Sequence, residues 1–322
     1  RNVLISTEAM REEIDEVQLI HRITPLPHSY YMDKTDWPTT LSIEGETYTL
    51  LAQRRQGGAI YRAIDTDRIL RIGTPAGMET ENRFPGRWLN NDSYRKTIRD
   101  RDIGGFAYIL EEFLGEQHFG AIFARGFAEE GMIPTASLEE YGSVIRSLLR
   151  SQASHTSGPL DPDAFRRSTH IPILRNERPD WITVLERAFE RHWATVSRYP
   201  SVLTHYDCNP YNAYPKGMID FETSGAGPWG YDAVSAICAI GWFPEAGDFE
   251  RTGAYVYTDE QIAAYYHMLD TYALEKNLPP ISEAREAFEF FRGVWACARM
   301  GDVPKLQAWR YARFERIFLE RI

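Results

Sequence analysis

Hydrophobic positions recur along this chain with two different periods, and the change from one to the other divides it. Residues 7–22 set Ile14, Val17 and Ile20 on one face of a helix, with acids elsewhere and Ser6 and Thr7 as candidate caps. Pro25, Pro27 and Pro38 punctuate the stretch that follows. Short runs rich in Tyr, Thr, Leu and Ile then predict strands over 47–53, 59–64 and 68–73. Gly57-Gly58 occupies the first gap and Asp65-Thr66-Asp67 the second, which makes the group an antiparallel meander. Residues 105–113 read as another strand. Beyond it the helical period dominates, predicting helices over 138–153, 181–199, 231–242, 259–275 and 282–299. The exception is 205–230, dense in Pro, Gly, Asn, Asp and aromatic residues, and loops of that kind between regular elements commonly carry function. The pattern predicts an α+β chain, with a β-rich part over 1–115 and a larger, mainly helical part over 116–322.

Composition narrows the class. The 322 residues are 43% hydrophobic and 25% charged, as expected of folded globular protein. The 36 Lys and Arg against 46 Asp and Glu give a net charge of -10, which opposes binding to nucleic acid or an anionic membrane. Cys208, Cys238 and Cys297 are dispersed and form no Cys-x-x-Cys pair, so neither a disulfide framework nor a cysteine zinc site is encoded. Arg1, Glu8, Arg11, Glu12, Glu13, Asp15 and Glu16 leave no apolar secretory core near the start, and the apolar run at 233–243 is too short to span a bilayer. A cytoplasmic protein is the expectation.

Chemistry concentrates between 205 and 222, which reads His-Tyr-Asp-Cys-Asn-Pro-Tyr-Asn-Ala-Tyr-Pro-Lys-Gly-Met-Ile-Asp-Phe-Glu. Asp207, Asn212 and Asp220 are oxygen-bearing groups on a loop and a tight hairpin. Phosphoryl transfer from a nucleotide needs Mg²⁺ on hard oxygen ligands, which suits Asn212 and Asp220, and a carboxylate to accept the attacking hydroxyl's proton, which suits Asp207. His-x-Asp-x-x-x-x-Asn followed by Ile-Asp-Phe-Glu resembles the aminoglycoside phosphotransferase and choline kinase superfamily. The resemblance implies a bilobal, protein-kinase-like fold with a small β-rich N-lobe and a larger helical C-lobe. It carries the roles of catalytic base onto Asp207 and of metal ligands onto Asn212 and Asp220, with His205 bracing the loop. Gly225, Gly227, Pro228 and Tyr231-Asp232-Ala233 resemble the segment whose Asp holds that loop. The same resemblance puts Gly57 and Gly58 beside the phosphates, Arg71 on the α/β-phosphates where many members have Lys, and Glu79 or Glu81 as its helical partner.

The substrate signal is thinner. Trp242, Asp248, Glu250, Tyr255 and Tyr257 mix acids with aromatics where such kinases bind acceptors, a lining suited to a cationic acceptor; Glu222 points to the same side by position. The resemblance therefore implies an ATP- or GTP-dependent, Mg²⁺-dependent kinase for a small-molecule hydroxyl. Departures keep an alternative open: only seven residues separate Asn212 from Asp220, Tyr206 and Cys208 stand where Gly and Leu are common, and Pro85-Gly86 interrupts the Glu-bearing helix. A kinase-like nucleotide-binding protein without turnover, or a nucleotidyl transferase, would accommodate these. Gly225-Ala226-Gly227-Pro228-Trp229-Gly230 matches a dinucleotide fingerprint, but Pro228 removes an amide donor and Trp229 is bulky where helix must meet strand.

Overall fold

In the computed structural model the described residues are 37–53, 58–74, 78, 97–103, 106–299 and 303–320. The helix expected over 7–22 lies outside them. The chain separates into two compact units, Arg1–Leu89 with Tyr94–Leu114, and Asn90–Ser93 with Gly115–Ile322.

The first unit is an antiparallel sheet built from β1 (Thr40–Ile43), β2 (Glu46–Gln53), β3 (Ala59–Ala63), β4 (Arg68–Gly73), β5 (Thr97–Ile103) and β6 (Phe106–Glu112). Its strand order is β1-β2-β3-β4-β6-β5, so the expected meander is present and β6 closes against β4. Glu44 and Gly45 both have positive φ, 55° and 82°, the conformation of a two-residue hairpin turn that matches strand twist. Period-two alternation sorts the side chains. Tyr61, Leu70 and Leu110 stand in register across β3, β4 and β6 and are fully buried with Tyr48 and Ile72 in one core. The next register row is Ile60, Arg71 and Ile109, so Arg71 lies on the opposite face, only 4% exposed.

The second unit is mainly helical: α1 (Phe119–Glu130), α2 (Thr135–Ala153), α3 (Pro162–Ser168), α4 (Ile171–Glu177), α5 (Ile182–Val196), α6 (Tyr231–Cys238), α7 (Asp259–Glu275), α8 (Arg285–Cys297) and α9 (Pro304–Phe314). Short strands β7 (Ser201–Thr204) and β10 (Gly225–Pro228) pair antiparallel, and β8 (Ala213–Tyr214) pairs with β9 (Gly217–Met218). The Gly-x-Gly-x-x-Gly stretch is thus mostly strand; a Cβ on Gly227 would stand 2.5 Å from the Thr204 hydroxyl and 2.6 Å from that of Tyr206. Close strand packing accounts for that glycine. The helices expected over 138–153 and 259–275 are α2 and α7, while those over 231–242 and 282–299 are shortened by 3₁₀ turns at Ala239–Trp242 and Ile281–Ala284. Four helices the periodicity did not reveal, α1, α3, α4 and α9, complete the packing. Helix α8 is the centre, buried on most sides and packed against α4, α5, α6 and α9. Phe291 meets Phe165 at 4.6 Å, Phe290 at 5.0 Å and Phe189 at 5.4 Å between ring centres. The fold class is α+β, as expected, and no helix among the described residues is long and apolar enough to cross a membrane.

Two outcomes follow from this packing. Phe291→Ala removes a fully buried ring and is expected to destabilise the helical unit by about 3–5 kcal/mol, read by chemical denaturation; a loss under about 1 kcal/mol would contradict the central role of α8. Burial lowers the pKa of three histidines from 6.5: His118, His192, and His170, which burial first and Arg299 second push down to about 4. Unfolding frees each to take up a proton, so their contribution is intact above about pH 6.5 and is lost as pH falls towards 4. Melting temperature is expected to decline across that window, and a flat profile there would refute the assignment.

Candidate active site

The site begins where β7 ends and the chain turns through His205, Tyr206 and Asp207. Tyr206 has φ of 65°, in the left-handed region that a non-glycine residue occupies only when its surroundings impose it. One buried carboxylate imposes it: Asp232, in the first turn of α6, accepts from the His205 amide at 2.8 Å and the Tyr206 amide at 3.0 Å. Gln152 of α2 donates to the same carboxylate at 2.7 Å and to the Leu203 carbonyl at 2.9 Å. Burial pushes the Asp232 carboxyl above the usual range, while His205, the two amides and Gln152 pull it back. The Tyr206 side chain is fully buried, its hydroxyl donating to the Ala226 carbonyl at 2.6 Å. It therefore fills the interior beside β10, away from Asp207, and Cys208, also fully buried, stays clear of the site as well. Neither side chain lines the cavity that Asp207 borders.

His205 is buried, with Nε2 facing the Ile219 carbonyl at 2.9 Å and its own carbonyl accepting from Thr223 at 3.0 Å. Those contacts clamp the loop to the segment entering Asp220. Asp207 is partly exposed and surrounded by donors. Asn209 Nδ2 reaches its Oδ1 at 3.1 Å, Asn212 Nδ2 reaches its Oδ2 at 3.3 Å, and both amides also bind its carbonyl, at 2.8 and 2.9 Å. Asn209 in turn accepts from the Tyr211 amide at 2.8 Å, closing the loop as an Asx turn. The third donor comes from afar: Arg292 Nη2, in α8, lies 3.1 Å from Asp207 Oδ1.

The short interval between Asn212 and Asp220 is spent on the β8–β9 hairpin, where Ala213 faces Met218 and Tyr214 faces Gly217. The Ile219 amide then donates to the Asn212 carbonyl at 2.9 Å. The ladder brings Asn212 and Asp220 to one end, and both line a cavity of about 310 Å³ together with Asp207. Tyr211, Tyr255, Trp295, Arg251, Arg292, Arg299 and Arg310 line it too, all in the larger unit.

The remaining expected residues fall elsewhere. Trp242 and Asp248 are not among the cavity's lining residues. Trp242 is 5% exposed in an aromatic cluster with Phe314 and Phe318, and its carbonyl accepts from Arg310 Nε at 2.9 Å. Asp248 is exposed and ion-paired to Lys305 at 2.6 Å, which lowers its pKa. Glu250 accepts from the amides of Lys305 and Leu306, capping α9. These acids serve α9. Gly58 has a packing reason to be glycine, since a Cβ there would stand 2.2 Å from the Ile72 carbonyl. Gly57, Glu79 and Glu81, and the side chain of Glu222, lie outside the described residues. Sequence reading missed Arg292, yet it leaves a signal: an arginine among Phe288, Phe291 and Trp295 interrupts the apolar face of a helix.

No curated protein matches the chain in sequence. Among solved structures it is similar to a protein of Ralstonia eutropha JMP134 described as a candidate aminoglycoside phosphotransferase, with a TM-score of 0.57, 13% identity and 95% of each chain covered. It is also similar to the aminoglycoside phosphotransferase APH(3'')-Id of Streptomyces rimosus, with a TM-score of 0.47 and 14% identity over 77% of this chain and 92% of that one. The fold is protein-kinase-like. The phosphotransferase enzyme family matches residues 37–266, well over half of the sequence, and the chain belongs to that family.

Proposed function

We propose that the protein is a Mg²⁺-dependent kinase that moves the γ-phosphoryl group of ATP or GTP to a hydroxyl of a small molecule. The observation that carries this is the convergence of Asp207, Asn212 and Asp220 on one cavity, in a chain of the phosphotransferase family. Asp207 accepts the proton of the acceptor hydroxyl. Three donors on its two oxygens fix the carboxylate's direction, and orientation matters more than basicity where the phosphoryl transition state is loose. Asn212 and Asp220 hold the metal. Because Asn212 commits its Nδ2 to Asp207, its carbonyl oxygen is the atom left to serve as a ligand. Two oxygens suffice for Mg²⁺, an ion usually bound by one or two protein oxygens with phosphate and water completing the shell. Bound there, Mg²⁺ would neutralise charge on the phosphates. Arg71 and the Gly57-Gly58 turn clamp the nucleotide, and His205 braces the loop.

The short hairpin no longer favours a protein without turnover, since it brings Asn212 and Asp220 to the same cavity as Asp207. Consumption of ATP and GTP with Mg²⁺ against hydroxylated acceptors tests the reading. Asp207→Asn, nearly isosteric, is expected to lower kcat by about 10²–10⁴-fold with a smaller fall in melting temperature than a core substitution brings, because Asp207 is partly exposed although it pairs with the buried Arg292. Wild-type turnover in that variant, or a product that gains a nucleotidyl rather than a phosphoryl group, would refute the mechanism. Asp232→Asn is expected to differ by losing both, because its new NH₂ opposes the donors that surround the carboxylate; the expected cost is about 3–5 kcal/mol, and an unchanged unfolding midpoint would contradict it.

A further inference from the structure

We infer that the acceptor carries an oxyanion, and that the cavity beside Asp207 selects it by charge. The inference rests on the phosphotransferase reading and specifies the substrate class of that same site. Among the described lining residues the carboxylates are Asp207 and Asp220, both engaged by the reaction itself. Against them stand four guanidinium groups: Arg251, Arg292, Arg299 and Arg310. Asp248 and Glu250, which would have welcomed a cation, are not in the lining, because they are held by Lys305 and the start of α9. A polycationic acceptor would meet four like charges, and a close anion would gain most from Arg292 and Arg310, the two that are buried.

The arginines are not equivalent. Arg310 has a structural task, donating from Nε to the Trp242 carbonyl and from Nη1 to the Ala296 carbonyl, both at 2.9 Å. Burial, then repulsion by Arg292, lowers its pKa to about 10, which still leaves it charged near neutrality. Arg292 is 4% exposed, and while Nη2 pairs with Asp207, its Nε and Nη1 are buried without a hydrogen-bond partner. A buried guanidinium with two unsatisfied nitrogens is costly unless something else enters to compensate it. Arg292 and Arg299 also share the Trp295 ring, at 4.2 and 5.1 Å from its centre, so two positive charges stand close together on one platform. Two guanidinium groups side by side suit a carboxylate, phosphate or sulfate. Arg251 and Arg299 are exposed, where an arriving anion would meet them first.

The test uses the full chain with Mg²⁺ and nucleotide, and hydroxylated ligands matched in shape but not in charge: glucosamine, glucose, glucuronate and glucose 6-phosphate, and serinol, glycerol, glycerate and glycerol 3-phosphate. Binding is read by calorimetry and product by mass. Anionic forms are expected to bind at least tenfold more tightly than their neutral and cationic counterparts, an advantage that shrinks with added salt. Arg251→Ala and Arg299→Ala, both at exposed positions, are each expected to erode it several-fold. Preference for glycerate and glucuronate would identify a carboxylate, and preference for the phosphate esters a phosphate. Cationic forms binding as well as anionic ones, an anion preference untouched by both substitutions, or no binding by any anion would each overturn the inference. The two readings fail separately. A phosphorylated aminoglycoside without anion binding sinks the charge selection and keeps the kinase, whereas anion-selective binding without nucleotide consumption does the reverse.

Discussion

One buried carboxylate organises the site. Asp232 accepts two successive backbone amides and the Gln152 side chain, and without it the His205–Asp207 turn would leave those donors unsatisfied inside the protein. Ordering there propagates outward. The left-handed Tyr206 aims its ring inward and lets Asp207 emerge on the cavity side, and His205 ties the loop to the Ile219 carbonyl just before Asp220. A single carboxyl group in the first turn of α6 thereby determines where Asp207, Asn212 and Asp220 stand.

A second constraint is α8. Its aromatic face holds α4, α5, α6 and α9 together, and the same helix delivers Arg292 to Asp207 and Trp295 to the cavity wall. Stability and chemistry therefore share an element. Among the described residues the Arg292–Asp207 pair is one of the most buried ion pairs on its arginine side, at 5% side-chain exposure. Pairs of that kind orient more than they stabilise, because desolvation offsets most of their attraction.

Much of the fold was legible from periodicity. Strands β1 and β3 alternate between buried and more exposed positions, and α2 and α7 were read from their helical period. Helix α1 was hidden by Gly120 and Gly126, poor helix formers whose reason is tertiary: added Cβ atoms would lie 2.6 Å from the Tyr211 ring and 2.3 Å from Pro134. The acids near 248–250 misled in the opposite sense. An exposed Asp or Glu reads alike whether it faces a ligand or caps a helix, and only the placement of Lys305 and α9 decides between them.

The sequence by itself determined the family resemblance and the trio of Asp207, Asn212 and Asp220, because those residues lie within one short loop and hairpin whose spacing encodes their meeting. Asp232 was legible through the family resemblance of the segment that carries it. Only the tertiary structure decided what surrounds them. Arg251, Arg292, Arg299 and Arg310 come from a loop, one helix, its end and another helix, and their convergence depends on how those elements pack around α8. Local pattern records which face of a helix is apolar; it does not record which cavity an arginine on that face will reach, and the charge of this cavity is therefore a property of the folded chain alone.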